Sequence, residues 1–96
     1  MLALPEVLTQ SQANACLGGL VQGLKTEAAA VVVVDASHLQ TFDSAALAVL
    51  MECRRVAASV NKTVQMQSMP TRLRDLAQLY GVNELLLDTA AERQVV

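Results

Sequence analysis

The residues with the most chemical potential lie in one stretch, VVVVDASHLQTFDSAALAVL, residues 31–50. It holds Asp35, Ser37, His38 and the pair Asp43-Ser44. A serine nucleophile needs a neighbouring base. His38 is the only histidine, and it falls on the turn before Ser44 with no spacing pattern that would place it beside that hydroxyl. The string around Ser44 is not a G-x-S-x-G elbow either, since Phe42, Ala45 and Ala46 stand at the wrong positions. No catalytic residue is therefore assigned, and an enzyme is not expected. Asp and Ser are leading N-cap residues, because a side-chain oxygen can accept an otherwise unpaired helix N–H, worth about 1 kcal/mol. If capping were its whole role, Ser44→Ala would cost about 1 kcal/mol of stability and nothing in binding. Cys16 and Cys53 fit no CxxC or zinc-ligand spacing and are expected to be small buried hydrophobes. No metal and no cofactor is expected.

These residues depend on the elements around them. Leu2 to Leu4 is a brief strand that Pro5 stops. Thr9 or Ser11 caps a first helix over about residues 10–25, with Ala13, Leu17, Leu20, Val21 and Leu24 at helical spacing. Val31 to Val34 is β-branched without polar alternation, as in a strand covered on both faces at the centre of a sheet. Asp43 or Ser44 opens a second helix that runs to about Ser59 and ends at Asn61-Lys62. Its core face gathers Ala46, Leu50, Cys53, Ala57 and Val60. Thr63 to Gln67 alternates like a half-exposed strand. Pro70-Thr71 starts a third helix, whose stripe is Leu73, Leu76, Ala77 and Tyr80 before Gly81 closes it. A last apolar segment and a polar tail follow. The order β-α-β-α-β-α predicts an α/β fold, a mixed and mostly parallel sheet with right-handed crossovers and helices mainly on one face.

Composition narrows the function classes. With 96 residues the chain is expected to form one domain spanning 1–96. Hydrophobic residues make up 53% and aromatics only 2%, so the core must be built from Ala, Val, Leu and Met. The net charge is −2 and the seven Lys and Arg are scattered, which offers neither the clustered cations nor the stacking rings that nucleic acids require. The apolar runs at 28–34 and 45–51 are far short of the roughly 20 residues of a membrane span. MLALPEV lacks the features of a secretory signal, so a cytoplasmic location is expected.

The outer side of the second helix is unusual for a solvated surface. Opposite the core face fall Ser44, Ala45, Ala48, Met51, Glu52, Arg55 and Ser59. Its first turns are small and apolar, and charge appears only further along. Flat Ala- and Met-rich patches suit a docking partner. The candidate partner-binding residues are Thr41, Asp43, Ser44, Ala45, Ala48, Met51, Glu52 and Arg55.

Together, the element order and the string VVVVDASHLQTFDSAALAVL resemble the STAS domain, the family of sulfate transporters and anti-sigma factor antagonists. Switchable antagonists of that family carry a D-S-S-G-L-G pattern whose second serine is phosphorylated. Here that position is Ala45, which has no hydroxyl, and Ala46 and Ala48 replace the usual glycines. A narrower branch is more similar: the STAS subunit of the Mla phospholipid ABC transporter, which maintains outer-membrane lipid asymmetry in Gram-negative bacteria. Its D-T-G-G-L pattern has a single hydroxyl directly after the aspartate, the place of Ser44, and TRLRDLAQLYGV at 71–82 is similar to its third helix.

This resemblance implies a non-catalytic subunit that binds the transporter's cytosolic ATPase through the start of helix two, peripheral to the inner membrane through its partner and not inserted in it. The alternative it implies is an anti-sigma factor antagonist or related signalling scaffold. STAS domains commonly carry a further edge strand pairing with the one at Leu2 to Leu4, and its absence predicts an edge covered by a partner or a second copy.

Overall fold

A computed structural model describes residues 2–82. Its elements in order are β1 (Leu2–Ala3), β2 (Val7–Leu8), α1 (Gln10–Thr26), β3 (Val31–Asp35), β4 (Thr41–Phe42), α2 (Ser44–Ser59), β5 (Thr63–Gln67) and α3 (Thr71–Leu79). The expected last apolar segment and tail, apart from Val82, lie outside the described residues.

The main sheet has the order β1-β3-β5, so β3 is its centre, and all of its described pairings are parallel. Val32 pairs with Val64 and Val34 with Met66, which puts all four on one face. On that face Val32, Val34 and Met66 are buried. The opposite face differs from the expectation of a strand covered on both sides. Val33 is half-buried beside a half-buried Gln65, and Val31 is 50% exposed opposite Thr63. A β-branched run thus marks the central strand but does not fix how much of each face is covered.

Two short strands are not legible in the sequence. Val7 pairs with Thr41 and Leu8 with Phe42, forming a second, two-stranded parallel sheet. Two residues cannot display a strand's alternation. Both Gln40 and Thr41 donate their N–H to the carbonyl of Glu6, at 2.8 and 3.0 Å, and this ties the loop before α2 to the loop before α1.

The core contains Leu4, Leu8, Leu24, Leu50 and Leu73 around Val32 and Val34, with Ala36, Ala46, Ala57 and Ala77 where elements come close. Small side chains let α1 lie along α2, its main helical neighbour. At Gly23 an added Cβ would overlap the Leu2 side chain, so β1 crosses α1 there on a bare backbone. Between β1 and the first half of α1 runs an open apolar groove of about 550 Å³, lined by Leu2, Leu4, Pro5, Val7, Cys16 and Leu20 among others. The outer edge of β1 has no strand partner among the described residues.

Helices α2 and α3 end in the same way. After α2, Asn61 takes φ 61°. Its N–H donates to Ala58 at 3.1 Å and that of Lys62 to Ala57 at 2.8 Å. After α3, Gly81 takes φ 74°, its N–H donating to Gln78 at 3.0 Å and that of Val82 to Ala77 at 2.9 Å. Both are Schellman caps, in which a left-handed residue turns the chain and satisfies the last carbonyls. The caps explain two departures from the helical projection. Val60 and Tyr80 are the C-cap residues, so the chain is already leaving the helix and both point outward, 39% and 57% exposed, instead of joining the core.

Candidate functional site

At the start of α2 one carboxylate serves two helices. Asp43 is extended at φ −132° and ψ −165°, and its Oδ1 accepts the Ala45 N–H at 2.8 Å. Its Oδ2 accepts the Gln10 N–H at 3.4 Å, the first residue of α1. The start of α1 is further secured by Thr9 and Gln12. The Gln12 side-chain oxygen accepts the Thr9 N–H at 3.0 Å and its hydroxyl at 2.6 Å, and the Gln12 N–H returns to the Thr9 carbonyl at 3.0 Å. Thr9, not Ser11, is the cap.

The cap of α2 therefore belongs to Asp43 alone. Ser44 is the first helical residue, exposed, and its hydroxyl has no partner among the described residues. This overturns the expectation that removing the Ser44 hydroxyl costs a cap. Capping accounts for the aspartate and leaves the serine unexplained.

From Ser44 the exposed line of α2 passes through Ala48 and reaches Arg55 and Ser59. Thr41 is exposed just upstream on β4. Ala45 is half-buried on the margin of this line. Met51 departs further from the expected docking face, since it is half-buried and packs against the core. Its long, flexible chain reaches inward across a boundary that the 100° projection draws as a sharp line. Glu52 and Arg55 pair with each other through two contacts, Arg55 Nε to Glu52 Oε1 at 2.9 Å and Arg55 Nη2 to Glu52 Oε2. The hydrogen bond from Arg55 holds the Glu52 carboxyl below its ordinary range, and the same pair raises the Arg55 guanidinium. The charges that follow the small first turns thus neutralise one another.

The loop after β3 is closed on itself. Asp35 accepts from the Ser37 N–H and from the Ser37 hydroxyl, both at 3.0 Å, and these bonds lower its pKa. Ser37 Oγ also lies 3.3 Å from His38 Nδ1 on an exposed turn. Asp35, Ser37 and His38 therefore form a local turn, and among the described residues neither Asp35 nor His38 bonds to Ser44. Cys53 is fully buried and its thiol is pushed up to about 11, first by burial and then by Cys16. Cys16 is half-buried, and burial raises its thiol too. Among the described residues no group of three or more His, Cys, Asp or Glu could hold a metal ion, and no helix is long and apolar enough to cross a membrane.

One contact beside the site has no signal in the sequence. The Arg72 guanidinium carbon of α3 lies 5.2 Å from the centre of the Phe42 ring, the residue before Asp43. Its only local clue is that Phe42 is the chain's single phenylalanine, and nothing nearby points to α3.

A family model described as "Mlab, STAS domain" matches residues 1–88. The chain belongs to this STAS family. The match covers every element described above, so the small parallel α/β architecture is a STAS fold, and the capped start of α2 lies within it. STAS domains are generally non-catalytic scaffolds. No curated protein matches this STAS domain.

Proposed function

We propose that this STAS domain is the non-catalytic subunit of a phospholipid ABC transporter, docking on its cytosolic ATPase through the first turns of α2 and supporting assembly or activity. The observation that carries this is Ser44, an exposed hydroxyl at the first position of α2, relieved of capping by Asp43 and followed one turn on by the exposed Ala48. A small, uncharged approach of this kind admits a close partner, and the family description agrees with it. On this reading Thr41, Ser44, Ala48 and Arg55 touch the partner directly. Asp43 sets the helix start, and Ala45, Met51 and Glu52 form the margin. The domain is cytoplasmic and is held at the inner membrane by its partner.

Ser44→Arg tests the proposal. The variant is expected to lose co-purification with the transporter ATPase while keeping its melting temperature and circular dichroism. Undiminished co-purification defeats the interface. The signalling alternative draws on the same exposed hydroxyl, as a phosphate acceptor for a partner kinase. Ala45, without a hydroxyl at the position phosphorylated in switchable antagonists, weighs against it. Incubation with a cognate kinase and labelled ATP is expected to leave the chain unlabelled, and label on Ser44 would favour the antagonist.

A further inference from the structure

Arg72 is a cation whose partner among the described residues is an aromatic ring and not a carboxylate. It is exposed, it lies in the first turn of α3, and it has no carboxylate partner among the described residues. A helix N-terminus carries positive partial charge, so its own helix disfavours a cation there. The first turn of α3 also holds no acidic residue to offset it. What holds the guanidinium is the face of Phe42, 5.2 Å away. Phe42 is itself fixed, because β4 pairs with β2 through Leu8, which is fully buried. The ring that positions Arg72 immediately precedes Asp43 and Ser44 in the chain.

The charges around this turn are unequal in availability. Both Asp43 oxygens already accept backbone N–H groups. Glu52 and Arg55 neutralise each other two to three turns along α2. Among the described residues Arg54, Arg72 and Arg74 are exposed guanidinium groups without a carboxylate partner, and of these three Arg72 is the one set on an aromatic ring. A ring face orients a guanidinium without consuming its N–H donors, which stay free for a bidentate carboxylate.

We infer that the docking surface extends across Phe42 to Arg72, and that Arg72 receives a carboxylate, an Asp or Glu side chain of the protein that docks on α2. This rests on the docking proposed above, with the transporter ATPase as that protein. Phe42 is a positioning residue and Arg72 the recognition residue.

The test measures the affinity of the full chain for the purified ATPase subunit. Arg72→Glu is expected to weaken binding by about tenfold or more, because a lost attraction becomes a like-charge contact. Arg72→Lys keeps the charge but loses the planar fork, so its affinity should fall between the two. Phe42→Leu frees the guanidinium and should weaken binding less than Arg72→Glu. Arg74→Glu, an exposed charge on the same helix, is the control and should stay within about twofold. Salt should weaken the wild type more steeply than Arg72→Gln, the variant to use if the charge reversal does not fold. Arg72→Glu and Arg72→Gln both binding like the wild type while Ser44→Arg abolishes binding would overturn the Arg72 assignment and leave the α2 interface standing. Ser44→Arg and Arg72→Glu both binding normally would remove the interface itself. An equal loss in Arg74→Glu would also overturn the inference, since general charge and not a positioned fork would then be responsible.

Discussion

Replacing Asp43 by alanine should destabilise the domain, and replacing Ser44 by alanine should not. The aspartate accepts the Ala45 N–H at 2.8 Å and the Gln10 N–H at 3.4 Å. Loss of an N-cap costs about 1 kcal/mol. Removal of a negative charge from the start of a 16-residue helix adds about 0.3–1 kcal/mol. The longer contact to Gln10 is near the limit of hydrogen bonding and adds less, although it joins the starts of α1 and α2. The total is about 1.5–2 kcal/mol. A domain of 96 residues loses about 4–8 °C of melting temperature per kcal/mol, so Asp43→Ala should melt about 6–16 °C lower. Asp43→Asn keeps the cap and loses the charge, and should recover most of this. Ser44→Ala should change stability by less than about 0.5 kcal/mol, as for an ordinary surface position. Thermal melts and urea titrations of the three variants, followed by circular dichroism, decide the matter. If Ser44→Ala falls as far as Asp43→Ala, the hydroxyl is part of the cap and its availability to a partner is refuted.

The glycines of this domain should respond in opposite directions. Gly18→Ala and Gly19→Ala meet open space in α1 and should each stabilise by about 0.5–1 kcal/mol, whereas Gly23→Ala must displace Leu2 and should give back that gain as β1 loosens. Gly81→Ala forces a side chain into φ 74° and should lower the urea midpoint by about 1 kcal/mol equivalent with an unchanged m-value. Cys53 should make the fold alkali-sensitive: its folded thiol is raised to about 11 from 9.0, so the native state keeps a proton that the unfolded chain releases. That contribution is complete below the unfolded value and is lost as pH rises through the folded one, so stability should fall over this range more steeply in the wild type than in Cys53→Ala. Urea midpoints at about pH 8 and about pH 10.5 check it, and parallel slopes would contradict the burial argument.

Much of the fold is legible because its signals are local. Asp43 and the run from Ala46 to Ala57 announce α2 and its core face, Thr63 to Gln67 alternates over its whole length, and Asn61 and Gly81 stand where left-handed caps are needed. The central place of β3 follows from four consecutive valines. What fails is what depends on distant partners. The β2–β4 pair is too short to carry a period, and its register comes from contacts between separate loops. A periodic projection extends the core stripe to Val60 and Tyr80 because it does not know that the backbone has turned at each cap. At the site, the small outer turns of α2 can be read from spacing alone. The inward lean of Met51, the second bond of Asp43 to α1 and the Arg72 contact with Phe42 cannot, since each involves a residue far away or a flexible side chain's choice between two surroundings.

The division of work between two adjacent residues gives the start of α2 its character. A serine at the N-cap would turn its oxygen back to its own helix and could not also face a partner. By moving the cap one residue earlier, onto a side chain with two oxygens, the chain satisfies Ala45 and ties Gln10 with one group and releases Ser44 from both duties. Ala48 one turn on keeps the approach shallow, and the first charges beyond it close on each other as Glu52 and Arg55. The small exposed residues Ser44 and Ala48 add no stability over a charged, solvated helix, for which Lys and Glu at those positions would serve at least as well. They make sense together if another protein lies against this turn, because small side chains allow close approach and paired charges impose no desolvation of an isolated ion. On the proposed docking, a surface of small side chains, capped by Asp43 and bordered by the Arg72 guanidinium on Phe42, is specific in shape first and in charge second.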